Sequence, residues 1–440
     1  MLSAPRDQSQ WDMFSPILKS FIDPKHPLVQ LADRLDWSQL ETEFAELYSE
    51  TGRPAHPIRL MVSLLLLKQM YGHGDESLPD VWIQNPYYQY FSGMDRFQWR
   101  FPVAPSDLSH FRGRLGPAGM EKIFGWSVAL HGKKAREKTL CVDTTVQETN
   151  ITFPTDAKLY GKVMGRLRGI AKDAGIKLKQ SYRFVGKKLL RASYNGSHPK
   201  RATAARKATR KLRTCAGRLL REVQRRLPEE VTGRHQPVLE LCQQVLDQQR
   251  YDKNKVYSLH EPHTACIAKG KAHKKYEFGR KVSLAITANS QVLVGATMAE
   301  GNAHDSKTLE DTLRQYHTLT DRLPEKTITD RGYRGLTEVL GVQVWYPDRF
   351  KAGKDRNKKR RLRRWFRKRT AIEPPVGHLK SDYGLDRSYL KGADGAQMNL
   401  LLAATAWNLQ LWMRQLLCWL KILLRFVNPL SSWTILKPSF

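Results

Sequence analysis

The run from Ile58 to Tyr71, I-R-L-M-V-S-L-L-L-L-K-Q-M-Y, is apolar nearly all round and predicts a buried helix, stopped by Gly72 and Gly74. Upstream, two short helices are predicted between Pro27 and Tyr48, the second with Ser38 and Glu41 at capping-box spacing. Downstream, a short helix spans 75 to 84 and Asn85-Pro86 turns the chain. The aromatic cluster Tyr87, Tyr88, Tyr90, Phe91, Phe97 and Trp99 reads as the packing of this small bundle, with base stacking open to any exposed member. Residues 106 to 115 form a further helix, closed by Gly116 with Pro117 opening the next, and Arg112 and Arg114 are expected on its surface.

At Thr139 the period changes. T-L-C-V-D-T-T-V-Q is β-rich and short, which places Asp143 at the end of a strand. Tyr276, Phe278, Val282, Leu284 and Ile286 alternate, a turn follows at 288 to 290, and Val292 to Met298 completes a hairpin. A helix capped by Asp305 or Ser306 carries Leu309, Leu313 and Tyr316 on one face, and the next strand ends at Asp330, where Gly332 permits a sharp turn. Another short strand covers 343 to 346. Residues 396 to 425 predict an apolar helix pair, but Asn399, Asn408, Gln410, Arg414 and Lys421 interrupt it, so packed helices are expected and no membrane span.

Charge sharpens this picture. The 440 residues, enough for two or three cored domains, carry +32. Residues 158 to 226 hold 22 Lys or Arg against Asp173 and Glu222, and 351 to 369 hold 12 against Asp355, leaving the remainder near neutral. Two such blocks point to a polyanion, most simply nucleic acid, with a membrane-surface helix as the alternative. The first block shows no apolar face of its own and reads as a helical insertion or as a segment partly disordered without its ligand. Five widely spaced cysteines without a C-x2-C pair argue against a disulfide framework or zinc knuckle, and the first ten residues lack a secretory pattern, so a reducing cytoplasm is expected. H-E-P-H at 260 to 263, with Cys266 and His273 nearby, lacks the H-E-x2-H spacing and is assigned no metal.

The stretch from Trp365 to Lys380 carries the candidate chemistry. On an unbroken helix Phe366, Arg369, Glu373 and Lys380 share an arc of about 60°, one acid amid bases. This is either a solvated, salt-bridged face or a place where a metal ion and a phosphate meet. The spacing resembles Y-x2-R-x3-E-x6-K, the C-terminal signature of the insertion-sequence DDE transposases, with Phe366 in place of Tyr. D-R-G-Y-R-G at 330 to 335, Y-E-F-G-x-K-V-S at 276 to 283, G-N-x-x-D at 301 to 305 and P-Y-Y-Q-Y-F at 86 to 91 resemble the same group, its IS-five family above all, over roughly residues 57 to 415.

That resemblance implies an α/β protein with an RNase H-like catalytic domain, a mixed five-stranded sheet with flanking helices. To it are added a helical N-terminal DNA-binding domain and a basic helical insertion after the first strand. The boundaries are an extension over 1–26, an end-binding domain over 27–138, catalytic segments over 139–157 and 255–425, the insertion over 158–254 and a tail over 426–440. Asp143, Asp330 and Glu373 become the catalytic, metal-holding carboxylates for two Mg²⁺ ions, with Mn²⁺ as a substitute; Asp305 and Glu300 are rivals. DNA contacts are expected from Phe366, Arg369 and Lys380, from Tyr333 and Arg334, from Arg112 and Arg114, and from Lys187, Lys188, Arg206, Lys207, Arg210 and Lys211 in the insertion. Pro374 is usual for these relatives and Pro375 is not; together they kink the helix or start it there. The implied activity is cleavage at the element's terminal inverted repeats and joining of the 3′ ends to target DNA, by a homodimer once two ends are paired, in a prokaryotic nucleoid and with no membrane partner. A nuclease of the same fold without strand transfer and a decayed, DNA-binding repressor are the alternatives.

Overall fold

The structure is a computed structural model that describes residues 15–48, 55–268, 274–347 and 356–427. His273, the start of the second basic block and most of the 426–440 tail lie outside the described residues. Six helices come first: α1 (Pro27–Arg34), α2 (Trp37–Ala45), α3 (Ile58–Tyr71), α4 (Leu78–Gln84), α5 (Pro86–Phe91) and α6 (Pro105–Ala129). Asp36, not the expected Ser38, caps α2, its carboxylate accepting the Gln39 N–H at 3.1 Å. The expected break at Gly116 is present as a kink inside α6, with Gly116 at φ 58° and Pro117 restarting the helix. Arg112 departs from expectation. It is 5% exposed, and its guanidinium forks onto Asp75 at 3.0 and 2.5 Å, so a carboxylate 37 residues away makes this polar position a buried one.

The chain then runs through β1 (Thr139–Thr149), the insertion helices α7 (Asp156–Asp173), α8 (Arg183–Ala192), α9 (Pro199–Arg226) and α10 (Glu229–Asp247), and strands β2 (Ala265–Ala268), β3 (Tyr276–Thr287) and β4 (Leu293–Met298). After α11 (Leu309–Thr320) come β5 (Lys326–Ile328), β6 (Glu338–Val339), β7 (Val342–Trp345), α12 (Arg356–Arg369), α13 (Glu373–Ser381), β8 (Arg387–Ser388) and α14 (Gly392–Val427). Five strands make the body of a mixed sheet in the order β4-β3-β1-β5-β7, antiparallel across β4-β3-β1 and parallel across β1-β5-β7. Three short strands, β2, β6 and β8, extend its margins, so the described sheet has eight strands where five are expected. β1 lies at the centre and is buried along most of its length, as befits a strand covered on both faces.

One core runs from the N-terminal helices through the sheet to α14. The C-terminal apolar segment is a single 36-residue helix, not the expected pair. The polar residues that interrupt it are what tie it down. Asn408 donates to Ser127 and to the Leu293 carbonyl and accepts from the Leu293 N–H, joining α6, β4 and α14, while Asn399 donates to Gln147 and to the Gly384 carbonyl. Among the described residues no helix is long and apolar enough to cross a membrane.

The insertion has a second core, contrary to the expectation that it lacks an apolar face. Val163 and Leu167 of α7, Leu212 and Leu219 of α9, and Cys242 and Val245 of α10 meet in a closed seam. The density of Lys and Arg hides this pattern from a reading by composition, because α9 places its apolar residues at helical spacing between them. Lys187, Lys188, Arg206, Lys207, Arg210 and Lys211 are all exposed on the outside of this unit.

Candidate active site

Asp143 sits in the middle of β1, opposite Leu284 of β3, and not at a strand end; the strand continues to Thr149 because Thr144 to Glu148 keep pairing with β3. Side chains alternate along a strand, so Asp143 shares its face with Cys141, whose thiol meets the Lys368 carbonyl of α12 at 3.2 Å. Asp143 therefore faces α12 and the turn that follows it. One of its oxygens accepts the Thr144 N–H at 2.8 Å.

Asp330 lies two residues beyond β5 and caps the short 3₁₀ turn Arg331–Tyr333 by accepting the Gly332 N–H at 2.8 Å. Gly332 is there for space: a Cβ on it would lie 2.7 Å from Asp305 Oδ2 and 3.0 Å from Asp330 Oδ1. Two carboxylates thus close on one backbone position. Tyr333 is fully buried, so the expected DNA contact from its side chain is not available in this structure. Burial first, and then the charges of Asp305, Asp143 and Asp330, hold its phenol well above the usual value. Arg334, the next residue, is exposed.

Glu373 is the first residue of α13. The helix is not unbroken: a 3₁₀ turn, Thr370–Ile372, separates α12 from α13, so the single arc drawn on one helix does not hold across it. Pro374 and Pro375 occupy the first turn of α13, where no N–H is required, and they start the helix instead of kinking it. Arg369 still reaches Glu373, donating from Nη2 to Oε1 at 3.2 Å, and its Nη1 stands 3.9 Å from Asp143 Oδ2. One guanidinium, about one quarter exposed, bridges carboxylates from β1 and α13. Lys380 follows on α13 two turns after Glu373 and is half-buried, and Phe366 is half-buried against the main core.

Sequence reasoning left Lys281 and Thr144 without a role and offered Asp305 as a helix cap or a rival carboxylate. Asp305 is not the helix cap; His304 precedes the 3₁₀ turn as its capping residue, and Asp305 accepts from Thr144 Oγ1 and from Lys281 Nζ, each at 2.9 Å. The signal was present, since Lys281 belongs to Y-E-F-G-x-K-V-S and Asp305 to G-N-x-x-D. What the sequence did not carry is that two motifs and the residue after Asp143 meet. Arg114 is exposed with its guanidinium 4.6 Å from the Tyr48 ring, and Glu261 of H-E-P-H accepts the Gly392 N–H.

As they stand, no three His, Cys, Asp or Glu side chains among the described residues are close enough to share one ion. The donor set nevertheless suits a hard divalent cation, being carboxylate oxygens only, and the Arg369 guanidinium already stands as the cation between Asp143 and Glu373. The three carboxylates thus come from a central strand, from the turn after the adjoining parallel strand and from the first residue of α13. Residues 16–114 match the family described as "Transposase domain (DUF772)", and residues 258–409 match "Transposase DDE domain", which contains Asp330 and Glu373. The chain is 40% identical over 182 residues, 40% of its length and 88% of the relative's, to an uncharacterized protein, ORF8 in the nfe locus of Rhizobium meliloti. No solved structure matches. The chain belongs to the DDE transposases of insertion sequences, a family whose catalytic domain is RNase H-like and which cleaves and moves DNA.

Gly332→Ala is expected to force Asp305 or Asp330 aside. DNA cleavage by this variant should fall by at least ~10-fold with DNA binding retained, since a shift of the reacting geometry by about 1 Å costs that much or more. Cleavage at the wild-type rate would show that the spacing between these two carboxylates does not matter.

Proposed function

We propose that the protein is a transposase of the IS-five type that binds the terminal inverted repeats of its element, cleaves there and joins the 3′ ends to target DNA. The observation that carries this reading is the guanidinium of Arg369 lodged between Asp143 and Glu373, with Asp330 on the neighbouring turn. Asp143, Asp330 and Glu373 would hold two Mg²⁺ ions, with Mn²⁺ as a substitute. Bound there, the ions would supply Lewis-acid chemistry, helping a water or 3′-hydroxyl to attack and the leaving oxygen to depart. Arg369 would turn from the acids to a non-bridging phosphate oxygen, offering a planar fork, and Lys380 would add a point charge along the same helix. The strand order β4-β3-β1-β5-β7 supports an RNase H-like domain in two segments, 139–157 and 255–425, with the insertion 158–254 between them.

In this reading residues 27–138 contribute end recognition, Arg114 being available on the surface while Arg112 serves the fold. The insertion runs along duplex DNA with Lys187, Lys188, Arg206, Lys207, Arg210 and Lys211 against phosphates, and pairing of two ends requires at least a homodimer. Contacts from dense Lys and Arg are insensitive to sequence.

Asp143→Ala, Asp330→Ala and Glu373→Ala should each abolish Mg²⁺-dependent cleavage of end DNA while leaving binding intact. A variant that cleaves at near wild-type rate removes that residue from the site. Changing the six insertion cations to Gln should weaken binding to end and random DNA alike and flatten the salt dependence by about five in slope, given ~0.9 per phosphate contact. Binding isotherms at several salt concentrations check this, and an unchanged slope takes the insertion out of the DNA path.

A further inference from the structure

Two motifs that the catalytic reading does not use meet the one that carries Asp330. Lys281 of Y-E-F-G-x-K-V-S is 8% exposed and donates to the Ala303 carbonyl at 2.6 Å and to Asp305 Oδ1 at 2.9 Å. Asp305 of G-N-x-x-D takes the Thr144 hydroxyl on the same oxygen, and its other oxygen faces Gly332 of D-R-G-Y-R-G beside Asp330. Thr144 is the residue after Asp143. The ammonium therefore fixes the loop before α11 to β3, and the carboxylate links that loop to the strand of Asp143 and to the turn of Asp330. A buried positive charge in this place, left alone, would repel any cation drawn to Asp143 and Asp330. A buried negative charge left alone would attract one.

We propose that Lys281 and Asp305 are a charge-balanced pair of positioning residues. Their mutual neutralisation sets the affinity of the Asp143–Asp330–Glu373 site for divalent cations, while their hydrogen bonds tie the loop before α11 to the strands β1 and β3 beside Asp143. The proposal rests on the metal-binding reading above. It makes a prediction with a sign. Lys281→Met leaves the Asp305 charge uncompensated and tightens cation binding by several-fold, whereas Asp305→Asn leaves the Lys281 charge uncompensated and weakens it by at least ~10-fold. The double variant Lys281→Met with Asp305→Asn returns to within ~3-fold of wild type, since both charges are gone. Loss of packing alone has no such sign: it weakens binding in all three variants, most in the double one.

The experiment is a Mn²⁺ titration of the full chain without DNA, followed by calorimetry or water-proton relaxation, with Asp330→Ala as the variant that removes the site and circular dichroism to confirm folding. Tightening in Lys281→Met, weakening in Asp305→Asn and recovery in the double variant support the pair. Weakening in both single variants without recovery, or three affinities equal to wild type, overturns it while leaving the metal reading intact. Should Asp305→Asn fail to fold, Lys281→Met decides by itself, because unchanged or weaker Mn²⁺ binding there also overturns the pair. Wild-type protein that binds no Mn²⁺, or binds it equally in Asp330→Ala, overturns the metal reading and the pair with it.

Discussion

Like charges brought together at the end of a sheet repel one another unless a cation stands between them, and the catalytic half of this protein is arranged around that constraint. Arg369 supplies the cation on one face, between Asp143 and Glu373, and Lys281 supplies it on the other, against Asp305. The two faces differ in permanence. Lys281 is buried with two acceptors in the loop before α11, whereas Arg369 lies at the junction of α12 and α13, about one quarter exposed and at the end of a helix dense in Lys and Arg. A guanidinium so placed can exchange carboxylates for phosphate without disturbing the core, which an interior lysine cannot do.

The sheet gives this cluster its rigidity. Asp143 stands opposite Leu284 of β3, on a strand whose two ends are also held along the other edge, by β5 at Thr139–Cys141 and by β8 at Glu148–Thr149. α14 secures the other end of β1 through Gln147 and Asn399, and secures β4 and α6 through Asn408. Asn408 is engaged through both its oxygen and its amide nitrogen, and the two asparagines reach partners in β1, β4 and α6 more than a hundred residues away, so the helix cannot dock in another register without stranding them.

Much of this was legible in the sequence. The hairpin of β3 and β4, the buried helix α3, the break at Gly116 and the strand leading to Asp330 follow from periodicity and from glycine and proline, because each is decided by residues close in the chain. Arg369 and Glu373, four residues apart, were paired on paper and are paired in space. What escaped is decided at long range. Arg112 is buried because Asp75 meets it, and Asp305, in place of capping its helix, takes Lys281 and Thr144 from two strands. The insertion misled for another reason: the Lys and Arg packed into residues 158 to 226 surround a seam of small and aliphatic residues whose periodicity composition alone does not reveal. The strand expected to end at Asp143 runs on to Thr149, because Thr144 to Glu148 keep their pairing with β3, which lies far away in the sequence.

The central claim is that Asp143, Asp330 and Glu373 hold divalent ions in the place that Arg369 guards when they are absent. Anomalous diffraction from crystals of the full chain with paired end duplexes and Mn²⁺ addresses it most directly. The account predicts anomalous peaks between Asp143 and Asp330, with Glu373 completing the set and the Arg369 side chain turned away from Asp143 onto a DNA phosphate. Arg369 still bridging Asp143 and Glu373, with Mn²⁺ bound only elsewhere on the protein, would contradict it.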